Sequence, residues 1–300
     1  MAGQSKNHSG TNLSENNRRC EVGMRQAGPT LMILDIGGRL DATGRSSLEA
    51  SVDEALSASC HVLLNLSGLD HIDPDGAGAL VIAAARMKRR HLSIAACGLT
   101  EGLADVFHLT RLDEAIVLFP TESDALASSD PSRWPPPHAL STGLLKGPPL
   151  PGWAAYSETL EPRDIPGEAM NINVRGRTTT SPVTGFGPLW DKCYRLRARK
   201  SALPPGGILA AWQAEFPDFW PPGNHFYPSG NRPVEPGTEA LLNLSLPGGM
   251  VLATGLRVIY ADDACFSFMT IQGHILAGWI TFRCYEVQSE TIIEIKPLFR

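Results

Sequence analysis

Asp75 is the residue of this chain whose type and position are best suited to chemistry. It lies in the segment Asp73-Pro74-Asp75-Gly76, between an apolar run at 62–66 and a run rich in alanine, glycine and leucine. That order predicts a strand, a polar turn and a helix that opens at Gly76. The first N–H groups of a helix lack partners within it and carry partial positive charge, so this position suits a carboxylate or a phosphate. Asp75 can act there as an N-cap.

The segments around this turn alternate between predicted strands and predicted helices. Residues 92–96 form a predicted buried strand, and residues 101–112 form a predicted helix with its apolar side chains on one face. Thr121, followed by Asp124 three positions later, is a capping pattern for a last helix that runs to 129. Strands that alternate with helices predict an α/β domain with a mixed sheet.

These motifs resemble the STAS domain, the family of anti-sigma factor antagonists, over residues 21–129. Residues 73–76 resemble the family's Asp-Ser-Ser-Gly turn, 38–42 its Gly-Glu-Leu-Asp signature, and 107–122 its C-terminal segment. The resemblance implies that Asp75 stands where the family has a serine that a partner kinase phosphorylates to switch partner binding. A carboxylate cannot accept that phosphate. Asp75 is therefore either a mimic of phosphoserine or an inert N-cap, and both interpretations stay open.

The resemblance implies a non-enzymatic regulatory adaptor that binds an anti-sigma factor or a related kinase-like regulatory protein. The sequence holds no G-x-S-x-G, G-x-x-x-x-G-K-[ST] or H-E-x-x-H motif, and we expect neither enzyme activity nor a cofactor. The residues expected to contact the protein partner surround the turn: Asp41, Asp70, Asp73, Asp75 and Gly76.

Composition limits the remaining function classes. A formal net charge of −5 argues against nucleic acid as the main partner. The sequence has no apolar run of about 20 residues, so we expect no membrane span. Residues 1–20 are polar and lack a signal-peptide core, and we expect a disordered tail and a cytoplasmic protein. The six cysteines form no C-x-x-C pair and the histidines no cluster, which predicts free thiols and no metal site.

A proline-rich linker is predicted over residues 130–170. Nine of the 24 prolines lie between 131 and 166, and proline favours an extended, semi-rigid chain. Trp134 and Trp153 lie within this stretch and can pack on a domain surface. Such a connector permits two independent domains, and the sequence does not decide whether they communicate.

Residues 171–300 are predicted to form an α+β domain with an antiparallel sheet. A helix carries Ile208, Trp212 and Phe216 one turn apart, and short glycine-rich turns separate long apolar runs. A long curved sheet with a helix against it commonly leaves a cavity. The predicted strands are 194–198, 241–246, 250–260, 265–271, 275–285 and 291–295.

Two segments of this second domain, 256–260 and 271–278, resemble an uncharacterised plant and bacterial family that we expect to have the START-like helix-grip fold. The resemblance implies an alternative function, in which this domain binds or transforms an apolar small molecule and the STAS domain is a scaffold. The sequence ends at Arg300 without the long helix that closes such a cavity, which favours an open groove or a shape completed by another chain. The residues predicted to line a ligand pocket are Trp212, Phe216, Trp220, His225, Tyr227, Gln272 and His274.

Arginines alternate with apolar residues in the strand predicted at 194–198. Arg195, Arg197 and Arg199 would share one face of that strand. Such a face is either the solvated side of an edge strand, where charge deters aggregation, or a surface for phosphates or acidic partners.

Overall fold

The computed structural model describes residues 18–128, 130–137, 149–167, 169, 174–199 and 201–300. The predicted disordered tail falls mostly outside these residues. Within them the chain forms a mixed sheet with helices, followed by an antiparallel sheet with one helix, as the sequence predicts.

The first sheet has five strands in the order β1-β2-β3-β4-β5. Strand β1 runs antiparallel to β2, and β2 to β5 are parallel to one another. The strands are β1 (Glu21–Gly28), β2 (Leu31–Leu40), β3 (His61–Ile72), β4 (Ile94–Cys97) and β5 (Val117–Phe119).

Four helices belong to this sheet. Helices α1 to α3 share one core with it, whereas α4 packs on the opposite face together with Trp134. The predicted capping box of α4 is confirmed, because Thr121 and Asp124 exchange their side-chain and backbone hydrogen bonds. The helices are α1 (Arg45–Ser57), α2 (Pro74–Arg89), α3 (Glu101–Thr110) and α4 (Glu122–Leu126).

The second sheet is antiparallel and has the order β6-β13-β12-β11-β10-β9-β8, with β7 also paired to β13. Helix α5 (Pro205–Ala214) and a 3-10 turn (Phe216–Phe219) cover one face. Strands β6 and β8 are additions to the predicted set, and β12 begins three residues later than predicted. The strands are β6 (Trp190–Asp191), β7 (Tyr194–Ala198), β8 (His225–Pro228), β9 (Glu239–Leu246), β10 (Met250–Ala261), β11 (Cys265–Thr270), β12 (Gly278–Val287) and β13 (Glu290–Phe299).

Helix α2 lies between the two sheets. Eleven of its sixteen residues are buried, and it shares one hydrophobic core with Trp279 and Leu298 of the second sheet. At Gly78 a Cβ would lie 3.2 Å from Leu298 Cδ2, so this small residue lets the second sheet approach the helix closely. The two domains are therefore packed as one body.

The proline-rich linker helps to join them. The indole N–H of Trp153 donates to the carbonyl oxygen of Ile72 over 2.7 Å, and its ring packs edge-on against Tyr260 with 5.1 Å between centroids. Trp134 donates to the carbonyl oxygen of Ala125. The described part of the linker thus anchors both domains, although its composition alone would permit independent ones.

Gly76 is required by the contact between α2 and the end of β2. A Cβ at this position would lie 2.0 Å from the carbonyl oxygen of Leu40, and backbone cannot move aside as a side chain can. We expect Gly76→Ala to lower the free energy of unfolding by roughly 2–3 kcal/mol. Urea denaturation followed by far-UV circular dichroism measures the change.

Gly207→Ala in α5 is the matched control. The nearest side-chain atom to a Cβ there lies at 3.4 Å, and alanine is the better helix former, so a gain of about 0.5–1 kcal/mol is expected. An unfolding midpoint of Gly76→Ala equal to that of the wild type would contradict the close contact.

Candidate functional site

The N-terminus of α2 is capped by Asp73 and not by Asp75. Asp73 has extended backbone angles, and its Oδ1 accepts the N–H of Gly76 over 2.8 Å. Pro74, which has no N–H to satisfy, occupies the first helical position. The helix therefore begins two residues earlier than predicted, and Asp75 lies in its first turn. The interpretation of Asp75 as an N-cap is wrong.

Asp75 is held by two basic side chains of the second sheet. Its Oδ1 accepts a hydrogen bond from Lys296 Nζ, and its Oδ2 lies 2.5 Å from Arg283 Nη2. The contact with Arg283 is an ion pair by distance, without the alignment of a hydrogen bond. The Asp75 side chain is only 4% exposed. Asp75 is thus paired with two cationic side chains inside the molecule.

Arg283 connects the two aspartates. Its Nη2 also donates to Asp73 Oδ2 over 3.0 Å, so a single guanidinium group contacts both carboxylates. Two acidic side chains at the start of α2 and two basic side chains of β12 and β13 form a buried group of paired acids and bases. We call Asp73, Asp75, Arg283 and Lys296 the charge quartet.

Burial sets the protonation of the charge quartet. Loss of water raises the pKa of Asp73 to about 7, opposed by the nearby Arg283 cation and reinforced by Asp75 and Asp41. Burial lowers the pKa of Arg283, but the negative charges of Asp75 and Asp73 outweigh it and raise this pKa above its ordinary value. Arg283 therefore stays charged, whereas Asp73 titrates near neutrality.

The other residues predicted to contact a partner occupy different environments. Asp41 accepts the N–H groups of Thr43 and Gly44 in the turn before α1; Gly44, and neither Asp41 nor Thr43, holds the N-cap position. Asp70 is exposed on β3. Asp73 and Asp75 are buried against the second sheet, and Gly76 is buried against the end of β2.

A polar cavity of about 660 Å³ lies between the domains beside the charge quartet. Its wall on the second sheet contains Glu294, which is buried and whose Oε2 accepts hydrogen bonds from Arg195, Cys193 and Tyr285. Burial raises the pKa of Glu294, but these hydrogen bonds outweigh it and hold the pKa below its usual value. The charged side chains that line the cavity are Arg39, Asp41, Arg45, Asp73, Asp191, Arg195, Asp262, Arg283, Glu294 and Lys296.

A second, apolar cavity of about 500 Å³ lies between α5 and the outer face of the second sheet. Three predicted pocket residues, Trp212, Phe216 and Trp220, line it. The remaining four do not. His225 and Tyr227 stack on each other in β8, and Gln272 and His274 lie in the turn between β11 and β12. The other lining residues are Leu203, Ile208, Ala211, Phe219, Pro221, Phe282, Ile293 and Ile295.

Arg283 and Lys296 are site residues that the sequence pattern did not single out. Both are charged residues inside strands whose neighbours are apolar, and such a residue at a half-buried strand position calls for a partner. The predicted strand 275–285 carries this signal at Arg283. The sequence does not identify the partners of these residues, because their identity depends on how the two domains meet.

A family model described as the STAS domain matches residues 24–125. This segment is similar to the STAS domain. Its mixed sheet and its helices agree with the resemblance seen in the sequence. No curated protein matches the chain significantly.

Several solved structures are similar to parts of this chain at low identity. An anti-sigma factor antagonist from Mycobacterium paratuberculosis is 19% identical, with 37% of this chain and 96% of that chain covered and a TM-score of 0.34. The Bacillus cell fate determinant SpoIIAA in its phosphorylated form is 14% identical, with 37% and 100% covered and a TM-score of 0.32. Ginseng major latex-like protein 151 from Panax ginseng is 12% identical, with 38% and 80% covered and a TM-score of 0.29.

Two further properties concern the described residues. Their cysteines are free thiols, four of them buried, as predicted. In the same ranges no three histidine, cysteine, aspartate or glutamate side chains are grouped so that they could hold a metal ion, and no helix has the length and apolar character needed to cross a membrane.

The raised pKa of Asp73 gives a pH-dependent stability. The folded protein holds this proton at pH values where the unfolded chain has released it, so the contribution is complete below the usual aspartate pKa and is lost as the pH rises through about 7. Asp73→Asn keeps an acceptor for the Gly76 N–H but cannot titrate. We expect the stability of the variant relative to the wild type to increase between about pH 5 and about pH 8. Urea denaturation across that range measures it.

A stability difference that stays constant over the range would contradict this titration. Asp70→Asn is the control, because Asp70 is exposed on the preceding strand. Its effect should be small at every pH.

Proposed function

We propose that this protein is a non-enzymatic regulatory adaptor whose STAS domain binds a protein partner under the control of its own C-terminal domain. The partner implied by the family resemblance is an anti-sigma factor or a related kinase-like regulatory protein. One observation carries the proposal: Asp75, at the phosphoserine position, is paired with Lys296 and Arg283 of the second sheet.

The negative charge of Asp75 is compensated by Lys296 and Arg283 of the second sheet. Phosphorylation would add about 1.5–2 negative charges at the start of α2, whereas aspartate supplies one permanently. A charge that is always present cannot signal whether a kinase has acted. The charge quartet offers another control, because any event that moves β12 and β13 away uncovers Asp75 and the outer face of α2.

The predicted partner-contact residues divide into two sets under this proposal. Asp70 is exposed and Asp41 half-buried, so both can meet a partner while the domains are packed together. Asp73 and Asp75 are covered by the second sheet and require the domains to separate, whereas Gly76 lies against the carbonyl oxygen of Leu40 within the first domain. A partner that contacts Asp73 and Asp75 therefore competes with the second sheet for the start of α2.

Lys296→Glu tests the control by the C-terminal domain. It places a third carboxylate beside Asp75, and like charges in a buried site repel strongly. We expect faster amide hydrogen exchange in α2 and more partner recovered when the variant is purified by affinity from its own host. Mass spectrometry of both preparations gives the two readouts.

Lys88→Glu is the matched control, since it makes the same charge change at the exposed C-terminal end of α2. Faster exchange in α2 without any protein gained by Lys296→Glu would contradict the adaptor function while leaving the interface intact as a structural finding. Unchanged exchange would contradict the control by the charge quartet.

A second candidate function is the binding of an apolar small molecule by the C-terminal domain. The cavity beneath α5 supports it, because its volume of about 500 Å³ is typical of ligand sites and its lining is almost wholly apolar. Phe219 and Leu203 at its rim are 60% and 51% exposed, which leaves the cavity open to solvent. The charge quartet lies on the other face of the same sheet.

Filling the cavity tests this second function. Ala211→Trp places an indole into the space, and we expect it to abolish binding of the fluorescent apolar probe anilinonaphthalene sulfonate to the full chain. Ala214→Trp, on the same helix but outside the lining, is the control and should leave probe binding unchanged. Equal probe fluorescence in the wild type and in Ala211→Trp would exclude the cavity as the binding site.

A further inference from the structure

The free edge of the second sheet has an unusual surface. Strand β7 pairs with β13 on one side, and within the described part of the chain no strand pairs with its other side. An unpaired edge presents N–H and C=O groups that another extended chain can use. Such an edge is a potential docking site if its side chains favour one kind of occupant.

The two faces of β7 differ in chemistry. Tyr194 and Leu196 lie on the outer face, opposite Ile295 and Ile293, and are 56% and 63% exposed. Since Ile293 and Ile295 line the apolar cavity, the exposed apolar side chains of β7 extend that cavity to the edge of the sheet. An edge strand that needed only to stay soluble would not expose two large apolar side chains.

The other face of β7 is basic. The side chains of Arg197 and Arg199 are 70% and 89% exposed, and both lie near a single carboxylate, that of Glu290. Arg195 on the same face is bound to Glu294. One partly buried glutamate does not neutralise two arginines, so this face keeps an unbalanced positive charge.

The spacing of the arginines disfavours a symmetric pairing of two copies. In an antiparallel pair of β7 strands related by a two-fold axis, residues that face each other point to the same side of the sheet. Arg195 of one copy would then face an odd-numbered residue of the other, Arg197 in the register centred on Leu196. Like charges directly opposite each other destabilise a strand pair.

We propose that β7 is a docking site for an extended protein segment in which acidic and apolar residues alternate. The segment adds a strand to the free edge of the second sheet. Its acidic side chains lie beside Arg197 and Arg199, and its apolar side chains lie beside Tyr194 and Leu196 at the mouth of the cavity. Main-chain hydrogen bonds supply affinity, and the alternation of side chains supplies specificity.

A synthetic peptide tests the site on the full-length protein. The probe is the fluorescein-labelled peptide Thr-Glu-Val-Glu-Leu-Glu-Val-Thr, and its control has the same composition in blocks, Thr-Glu-Glu-Glu-Val-Leu-Val-Thr. Fluorescence anisotropy should show binding of the alternating peptide and at least roughly ten-fold weaker binding of the block peptide. Two N-methylated forms of the alternating peptide, one methylated at its odd positions and one at its even positions, should differ in binding. One form should lose binding and the other should keep it, because only one edge of the added strand faces β7.

Charge reversal locates the peptide on β7. Arg197→Glu combined with Arg199→Glu should weaken binding of the alternating peptide roughly ten-fold or more. Both side chains are exposed, so the variant should fold like the wild type by circular dichroism. Arg89→Glu combined with Arg90→Glu makes the same charge change at the end of α2 and should leave binding unchanged.

Several outcomes would overturn the proposal. Equal affinity for the two peptides, insensitivity to N-methylation in both forms, or an equal loss in both double variants would show non-specific attraction. A dimer in sedimentation that Leu196→Asp abolishes would assign this edge to a second copy. Binding to phosphatidylserine vesicles that Arg197→Glu with Arg199→Glu abolishes, without any peptide binding, would assign it to a membrane surface.

Discussion

Four charged side chains buried between helix α2 and the C-terminal sheet determine how this molecule is assembled. Removing a charge from water costs several kcal/mol unless a partner of opposite sign replaces the lost hydration. Neither domain could meet that requirement alone, since α2 supplies both acids and β12 and β13 supply both bases. The pairing of these charges therefore mainly selects one orientation of the two domains. Any other orientation would separate the pairs and leave uncompensated charge in the core.

The apolar contacts around the charges explain why α2 has the sequence it has. Gly76 lets the helix approach β2, and Gly78 lets the second sheet approach the helix from the opposite side. The helix is consequently enclosed by two sheets, with Trp153 of the linker bound to the carbonyl oxygen of Ile72 at its entry. Only movement of a whole domain would uncover the start of the helix, since most of its residues are buried.

The sequence predicted what depends on local order and failed where two distant segments meet. The apolar runs and the hairpin turns predicted most strands of the two sheets, and the Thr121–Asp124 pattern predicted the start of α4. Each of these signals lies within a few neighbouring residues. The cap of α2 was misplaced by two positions because Pro74 starts a helix more readily than the pattern of apolar residues suggests. Arg283 and Lys296 were missed because their partners lie about 200 positions earlier in the chain.

The glycines of α2 have a consequence for the N-terminal domain on its own. Each glycine in a helix costs about 1 kcal/mol relative to alanine, and α2 has two in its first turns. At Gly78 the helix recovers this cost through packing against the second sheet. Any process that separates the domains would therefore also loosen the start of α2, so that exposure of Asp75 and local melting of the helix would occur as one event.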